Sequence, residues 1–198
     1  RTYGLPRAIL SDNGSPFASS TAPLGLSTLS ASWVALGIEL EHSRPGHPQD
    51  NGAHERMHKD IEAEVAARTQ PNRRAQQAAL DLWREEYNHQ RPHESLQDRF
   101  PAEVYRRSTR PLPVAPVLLD YGPGFFIRKV SSNGTIKWTN QLIQITTTLA
   151  GREVGLRLVS ADRLEIWFNH LHLGAIDLQT YRFGSAPSRS AKAVCLAA

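Results

Sequence analysis

The segment RPLPVAPVLL, residues 110–119, limits the fold more than any other stretch of this chain. Three prolines at such spacing each remove a backbone donor and fix φ, so neither a helix nor a central strand crosses it. The texture differs on its two sides. Upstream, short apolar runs alternate with helical periodicity. Downstream come FFIRKV, IKWTNQLIQI, VGLRLV, LEIWF and LGAIDL, which are strand-length runs separated by NG, AG, AD and HLG. That pattern predicts a small antiparallel β-barrel module over 121–184, after a linker at 111–120. The closing SAPSRSAKAVCLAA suits a disordered tail, 185–198.

In the upstream part, AIL ends at Asp12, and SDNGSPF follows as a polar turn. Leu26, Leu29, Trp33 and Leu36 stand at helical spacing, with Gly37 as a stop signal. Ile38 and Leu40 alternate with Glu39 and Glu41, as in a half-buried strand. SRPGHPQDNG is a loop, and Asp50 or Asn51 caps a helix running to about Arg68 with Met57, Ile61 and Val65 as its stripe. A second helix from Asn72 or Arg73 to about Gln90 turns Ala79, Leu82, Trp83 and Tyr87 toward the core. Pro92 ends it. Strand, helix, strand, helix, helix indicates an α/β layer over 1–110. Trp33, Trp83, Trp138 and Trp167 all fall in apolar patterns and are expected in cores.

Charge adds a second asymmetry. Residues 1–110 carry 14 Lys/Arg and 14 Asp/Glu, whereas 111–198 carry 9 and 5, so the whole net charge of +4 lies in the C-terminal part. With a pI of about 9.5, nucleic-acid binding is permitted. The only cysteine, Cys195, rules out a disulfide framework and suits a reducing, cytoplasmic setting. No run approaches the roughly 18–20 apolar residues of a membrane helix.

The chemistry concentrates in DNGAHERMHKDIEAE, residues 50–64. HERMH matches the zinc-peptidase pattern H-E-x-x-H, with His54 and His58 one helical turn apart and Glu55 beside them. A zinc site also needs a third protein ligand, and the sequence lacks the G-x-x-H continuation that supplies one. The other reading pairs Glu55 with Asp12, two acids separated by 42 residues that hold one helix and one strand.

SDNGSPF around Asp12, the lead-in RPGHPQDNGAHER to Glu55, then YNHQRPHESL and PAEVY appear in an order that resembles the retroviral-integrase-like core of D,D,E transposases, in particular bacterial insertion-sequence transposases. The segment from RKVSSNGTIKW to HLHLGAIDL is similar to the β module of that group. The resemblance implies an RNase H-like core, incomplete here, followed by the β-barrel module. It also implies two-metal phosphodiester hydrolysis and strand transfer with Mg²⁺ or Mn²⁺, on double-stranded DNA supplying element ends and target, by a homo-oligomer. Asp12 is then the second aspartate and Glu55 the closing glutamate, both catalytic and both metal ligands. The first aspartate has no counterpart in residues 1–11, so the expectation is an N-terminally truncated chain, inactive alone; a non-catalytic DNA-binding or assembly remnant is the alternative.

Basic residues expected on DNA are Arg44 in the loop, Arg56 and Lys59 on the helix, and Arg128, Lys129 and Lys137 in the module. His47 and Gln49 share the loop with Arg44, and Arg152, Arg157 and Arg163 extend the basic set of the strands. Glu62, seven residues after Glu55, opposes phosphate at a position where integrase-like cores tend to be basic. Arg91, His93 and Glu94 are read as fixing the corner after the second helix.

Overall fold

A computed structural model describes residues 3–44, 47 and 52–186 of the chain. The cap residues Asp50 and Asn51, the loop residue Gln49, and the tail from 187 onward with Cys195 lie outside the described residues. The chain divides into two compact units. Among the described residues, one holds 5–44 and 110–186; the other holds 3–4, 47 and 52–109. The stretch 1–110, expected as one partial core, therefore contributes to both.

The first unit begins with a β-α-β turn of chain. Strand β1 (Ala8–Ser11) pairs in parallel with β2 (Glu39–His42), from Ala8 opposite Glu39 to Ser11 opposite His42. Parallel pairing needs a crossover, and helix α1 (Thr28–Ala35) supplies it. Ser27 caps α1 by accepting from the Ser30 N–H at 3.0 Å, while the Ser27 N–H donates to Ser30 Oγ at 2.8 Å. Gly37, at φ +69°, ends the turn after the helix. The buried face of α1 is Ala31 and Val34 with Leu26 ahead of it; Leu29 is exposed and Trp33 half-buried against Phe17. Of the expected stripe Leu26, Leu29, Trp33 and Leu36, Leu26 is buried and Trp33 and Leu36 are half-buried, while Leu29 faces outward. The helix starts only at Thr28 and turns its small residues inward, where a sheet comes close.

That sheet is built from the C-terminal strands. β3 (Phe126–Lys129), β6 (Glu153–Ser160), β7 (Arg163–Phe168), β8 (Leu171–Asp177) and β9 (Arg182–Ser185) form one antiparallel ladder in the order β3-β6-β7-β8-β9. β4 (Thr135–Trp138) and β5 (Gln141–Gln144) form a separate hairpin. Closure into a barrel requires the first and last strands to pair. Among the described residues β3 and β9 remain edges, so the expected closed barrel is not formed. The predicted HLG turn is also corrected: His172–Gly174 lies inside β8, and the chain reverses at Asn169, which has φ 53°. Gly174 takes φ +145°, and a Cβ there would fall on the Gly184 carbonyl of β9. Its glycine therefore serves strand approach, not turning.

Leu26, Ala31 and Val34 join Leu149, Val154, Leu156, Leu164, Ile166, Phe168 and Leu173 in one core. Two polar contacts reinforce this. Asn169 Nδ2 donates to the Val34 carbonyl at 2.7 Å, and Arg152 Nη2 donates to Ser32 Oγ at 2.7 Å. The 105–125 stretch has no helix or strand, yet its end is anchored: Tyr121 is buried and its hydroxyl donates to the Glu153 carbonyl at 2.9 Å. Burial pushes the Tyr121 phenol up to about 12.

The second unit is helical. Helix α2 (Gly52–Ile61) runs into a single π turn, Glu62–Ala66, and α3 (Arg73–His89) follows, capped by Asn72 through the Ala75 N–H at 3.0 Å. Val65 and Trp83 are its buried apolar residues, with Met57, Ile61 and Tyr87 half-buried. Leu82, expected inward, is 72% exposed. The neighbouring position decides this: Trp83 stacks on Tyr87 at 4.7 Å and takes the inner face. A short helix α4 (Pro101–Val104) closes the unit, with Tyr105 edge-on to Tyr3.

Candidate active site

Asp12 follows the last residue of β1, at the carboxyl end of the parallel pair. Open α/β sheets place ligands at that end of their strands. Asp12 is exposed, and its Oδ1 accepts the Gly14 N–H at 3.0 Å, a local turn that tethers one carboxylate oxygen. Asn13 Nδ2 donates to the Ser43 carbonyl at 2.9 Å, and the Ser43 N–H donates to the Ser11 carbonyl at 3.0 Å. These bonds tie the loop after β1 to the end of β2. The Asn13-Gly14 pair thus acts as the turn that the sequence predicts.

Glu55 lies in the first turn of α2, exposed. A carboxylate near a helix N-terminus is favoured by the macrodipole. Arg56 and Lys59 are exposed on the same helix, and Arg44 is exposed just beyond β2. Beside α2 a cleft of about 440 Å³ is lined by Arg56, Asp60, Tyr87, Arg91, His93 and Glu94. The π turn ends α2 where the Ala67 N–H reaches back to the Glu62 carbonyl at 2.9 Å. π turns are frequent at functional sites.

Arg91 fastens this helix to α3. Its guanidinium donates to both oxygens of Glu64, at 3.0 and 2.7 Å, and to Glu86 at 3.3 Å, while Asp60 stands at 3.9 Å. It also lies over the rings of Trp83 and Tyr87 at 5.9 and 5.8 Å. The Arg91 hydrogen bond, aided by Trp83 Nε1, holds the Glu64 carboxyl below the usual range, and Arg91 is held more firmly protonated in turn. The structural role read for Arg91 is what these contacts describe. His93 packs edge-on to Tyr87 at 4.6 Å.

Asp12 belongs to the first unit and Glu55 to the second. No group of three His, Cys, Asp or Glu side chains arranged for a metal ion occurs among the described residues. The zinc-peptidase pattern gains no third ligand there. Exposed carboxylates suit hard, oxygen-preferring ions in donor chemistry.

In the β module the basic residues have divergent fates. Arg152 reaches Ser32, and Arg157 is bound to Glu165 at 2.9 Å between the rings of Phe125 and Trp167. For Glu165, burial raises the carboxyl, but the Arg157 and Trp167 hydrogen bonds outweigh it and the net shift is downward. Lys129 faces Glu153 and Arg163 faces Asp177 in strand register. Arg128 lies over Trp138 at 5.8 Å and donates to the Lys137 carbonyl at 3.1 Å. Lys129 and Lys137 remain exposed. Sequence reasoning also passed over a hydroxyl-rich cleft of about 880 Å³ next to Asn13, with Ser15, Ser19, Ser27 and Ser32 among its lining. The density of Ser and Thr over 11–32 was the signal for it.

No helix among the described residues is long and apolar enough to cross a membrane. Residues 36–101, about a third of the chain, match a family model described as an integrase core domain. Glu55, α2 and α3 fall inside the match, and Asp12 falls before it. Integrase-type cores generally work with divalent metal ions, and DNA is the substrate that this likeness suggests. The segment carrying Glu55 is thus similar to integrase core domains, which supports a place for the chain among integrase- and transposase-like proteins.

Proposed function

We propose that the chain is the catalytic-glutamate half and C-terminal module of a D,D,E-type insertion-sequence transposase with an RNase H-like core. The observation that carries this reading is the integrase-core match over 36–101 around an exposed Glu55 in the first turn of α2. Asp12, at the end of a parallel strand with one oxygen tethered by Gly14, supplies the second carboxylate. Each is proposed as a ligand for Mg²⁺ or Mn²⁺, which when bound would supply activation of the attacking hydroxyl and stabilisation of the leaving oxygen. Glu55 and Asp12 offer oxygen donors only. Arg56 and Lys59 lie one and four residues after Glu55 and would position DNA phosphates. Hydrolysis frees a 3′-OH at the element end, and that hydroxyl then attacks a target phosphodiester in double-stranded DNA. The assembly is homo-oligomeric and works in the bacterial cytoplasm.

Residues 1–11 contain no acidic side chain, so two of three carboxylates are assigned within these 198 residues. The 198 residues alone are therefore expected neither to cut nor to join DNA. The exposed Lys129 and Lys137, with the net charge of +4 in 111–198, leave a DNA-binding or assembly role even so.

The test is plasmid nicking and strand transfer in Mg²⁺ or Mn²⁺. The 198-residue chain should be silent. The chain extended upstream by its own coding sequence should be active, and Asp12→Asn or Glu55→Gln should abolish that activity. Metal-dependent nicking by the 198 residues that disappears in Glu55→Gln overturns the predicted inactivity. An extended, folded chain that binds DNA without transferring strands leaves only the assembly role.

A further inference from the structure

The geometry points to His54 and His58 as a chelating pair for one borderline divalent transition-metal ion, of the Zn²⁺ or Ni²⁺ class, on the outer face of α2. This inference does not rest on the transposase reading. It comes from an imidazole pair that the carboxylate chemistry leaves unused. The two rings stand one helical turn apart, both exposed, with their Nε2 atoms 3.1 Å apart. Their ring centroids are 4.3 Å apart and the planes cross at 82°.

At 3.1 Å the two nitrogens stand at hydrogen-bond distance, which one ring meets as donor and the other as acceptor when their tautomers differ. The same separation suits two ligands of one ion. With metal–nitrogen distances of about 2.0–2.1 Å, nitrogens 3.1 Å apart subtend about 95–100° at the metal, within the range of adjacent ligands in tetrahedral and octahedral sites. Binding one ion through both Nε2 atoms requires both rings in the Nδ1–H tautomer, with their lone pairs turned toward it. No backbone change is needed, because the helix already sets the i, i+4 spacing.

The donor set decides the class of ion. Imidazole suits Zn²⁺, Ni²⁺ and Cu²⁺, whereas Mg²⁺ and Ca²⁺ prefer oxygen. Glu55 follows His54 by one residue, about 100° further round the helix, and belongs to the oxygen chemistry. With no third protein ligand grouped there among the described residues, water completes the coordination and the ion stays exchangeable. One other pair competes on spacing. His89 and Glu85 of α3 lie 3.6 Å apart, both exposed, but offer one imidazole where α2 offers two.

The experiment is calorimetric titration of the purified 198-residue chain, stripped with chelator and then dialysed, with ZnCl₂ and with NiCl₂. The expected result is one saturable equivalent per chain that a large excess of Mg²⁺ does not displace. His54→Gln and His58→Gln should each weaken it by about tenfold or more, since each removes half of the protein ligands. His89→Gln should leave it unchanged. Both α2 positions are exposed, so folding of the variants is expected to persist and is read by circular dichroism. Equal binding by the wild type and the double variant overturns the proposal. So does loss of the site in His89→Gln alone, or its displacement by Mg²⁺.

Discussion

Asn169 is the most economical probe of whether the β1-α1-β2 segment that carries Asp12 belongs to the same folding unit as the C-terminal sheet. Its side chain crosses from the β7–β8 turn to the Val34 carbonyl near the end of α1, at 2.7 Å. Its backbone has φ 53°, a left-handed conformation that Asn tolerates and Gly adopts freely. Two substitutions separate these contributions. Asn169→Gly keeps the turn and deletes the hydrogen bond. The Val34 carbonyl still accepts the Gly37 N–H at 2.9 Å, so it is not orphaned, and the cost should be about 1 kcal/mol. Asn169→Ala loses the same bond and leaves at φ 53° a residue without the short polar side chain that lets Asn tolerate the left-handed region, which adds up to about 1 kcal/mol more. Urea unfolding followed by fluorescence and circular dichroism measures both, and hydrogen exchange of the α1 amides supplies the local readout. If α1 and the sheet share one core, α1 protection should fall together with that of β6, β7 and β8. Asn169→Gly within about 0.3 kcal/mol of wild type, with α1 exchanging independently of the sheet, would refute the shared unit.

Tyr121 gives a pH test. Its folded-state phenol is raised to about 12 by burial while the unfolded value is near 10, so the unfolded chain releases this proton first and stability is intact below pH 10. It should then fall through the 10–12 window by about 3 kcal/mol, and Tyr121→Phe should lack that part of the alkaline slope in pH-dependent melting. Gly174→Ala should cost about 2 kcal/mol or more and free β9 from β8, seen as reduced amide protection over 182–185, because the new Cβ meets the Gly184 backbone. Lys129→Ala with Lys137→Ala should flatten the salt dependence of DNA binding in a fluorescence titration. The slope should drop by roughly 2, about one for each lysine that no longer neutralises a phosphate. An unchanged slope would remove both residues from the interface.

How much of this was legible beforehand depends on the range of the forces involved. Local elements follow from neighbouring residues. Ala8 to Leu10 made a strand, Asn72 and Pro92 bracketed α3, and the alternating runs after residue 120 became β3 to β8. Caps, prolines and periodicity act over a few residues, so they can be read along the chain. The order of motifs from Asp12 through Glu55 to PAEVY was equally open to reading. Which faces were buried emerged only on packing. Leu29 and Leu82 carry the right period yet face water, because Val34 and Trp83 meet a neighbour first. Packing also made α1 share its core with strands more than a hundred residues later, through Phe168 and Asn169, and left the sheet open among the described residues. Hydrophobic burial is non-directional and rewards whatever surface arrives, so a helix's own pattern states that it must be covered but not by what.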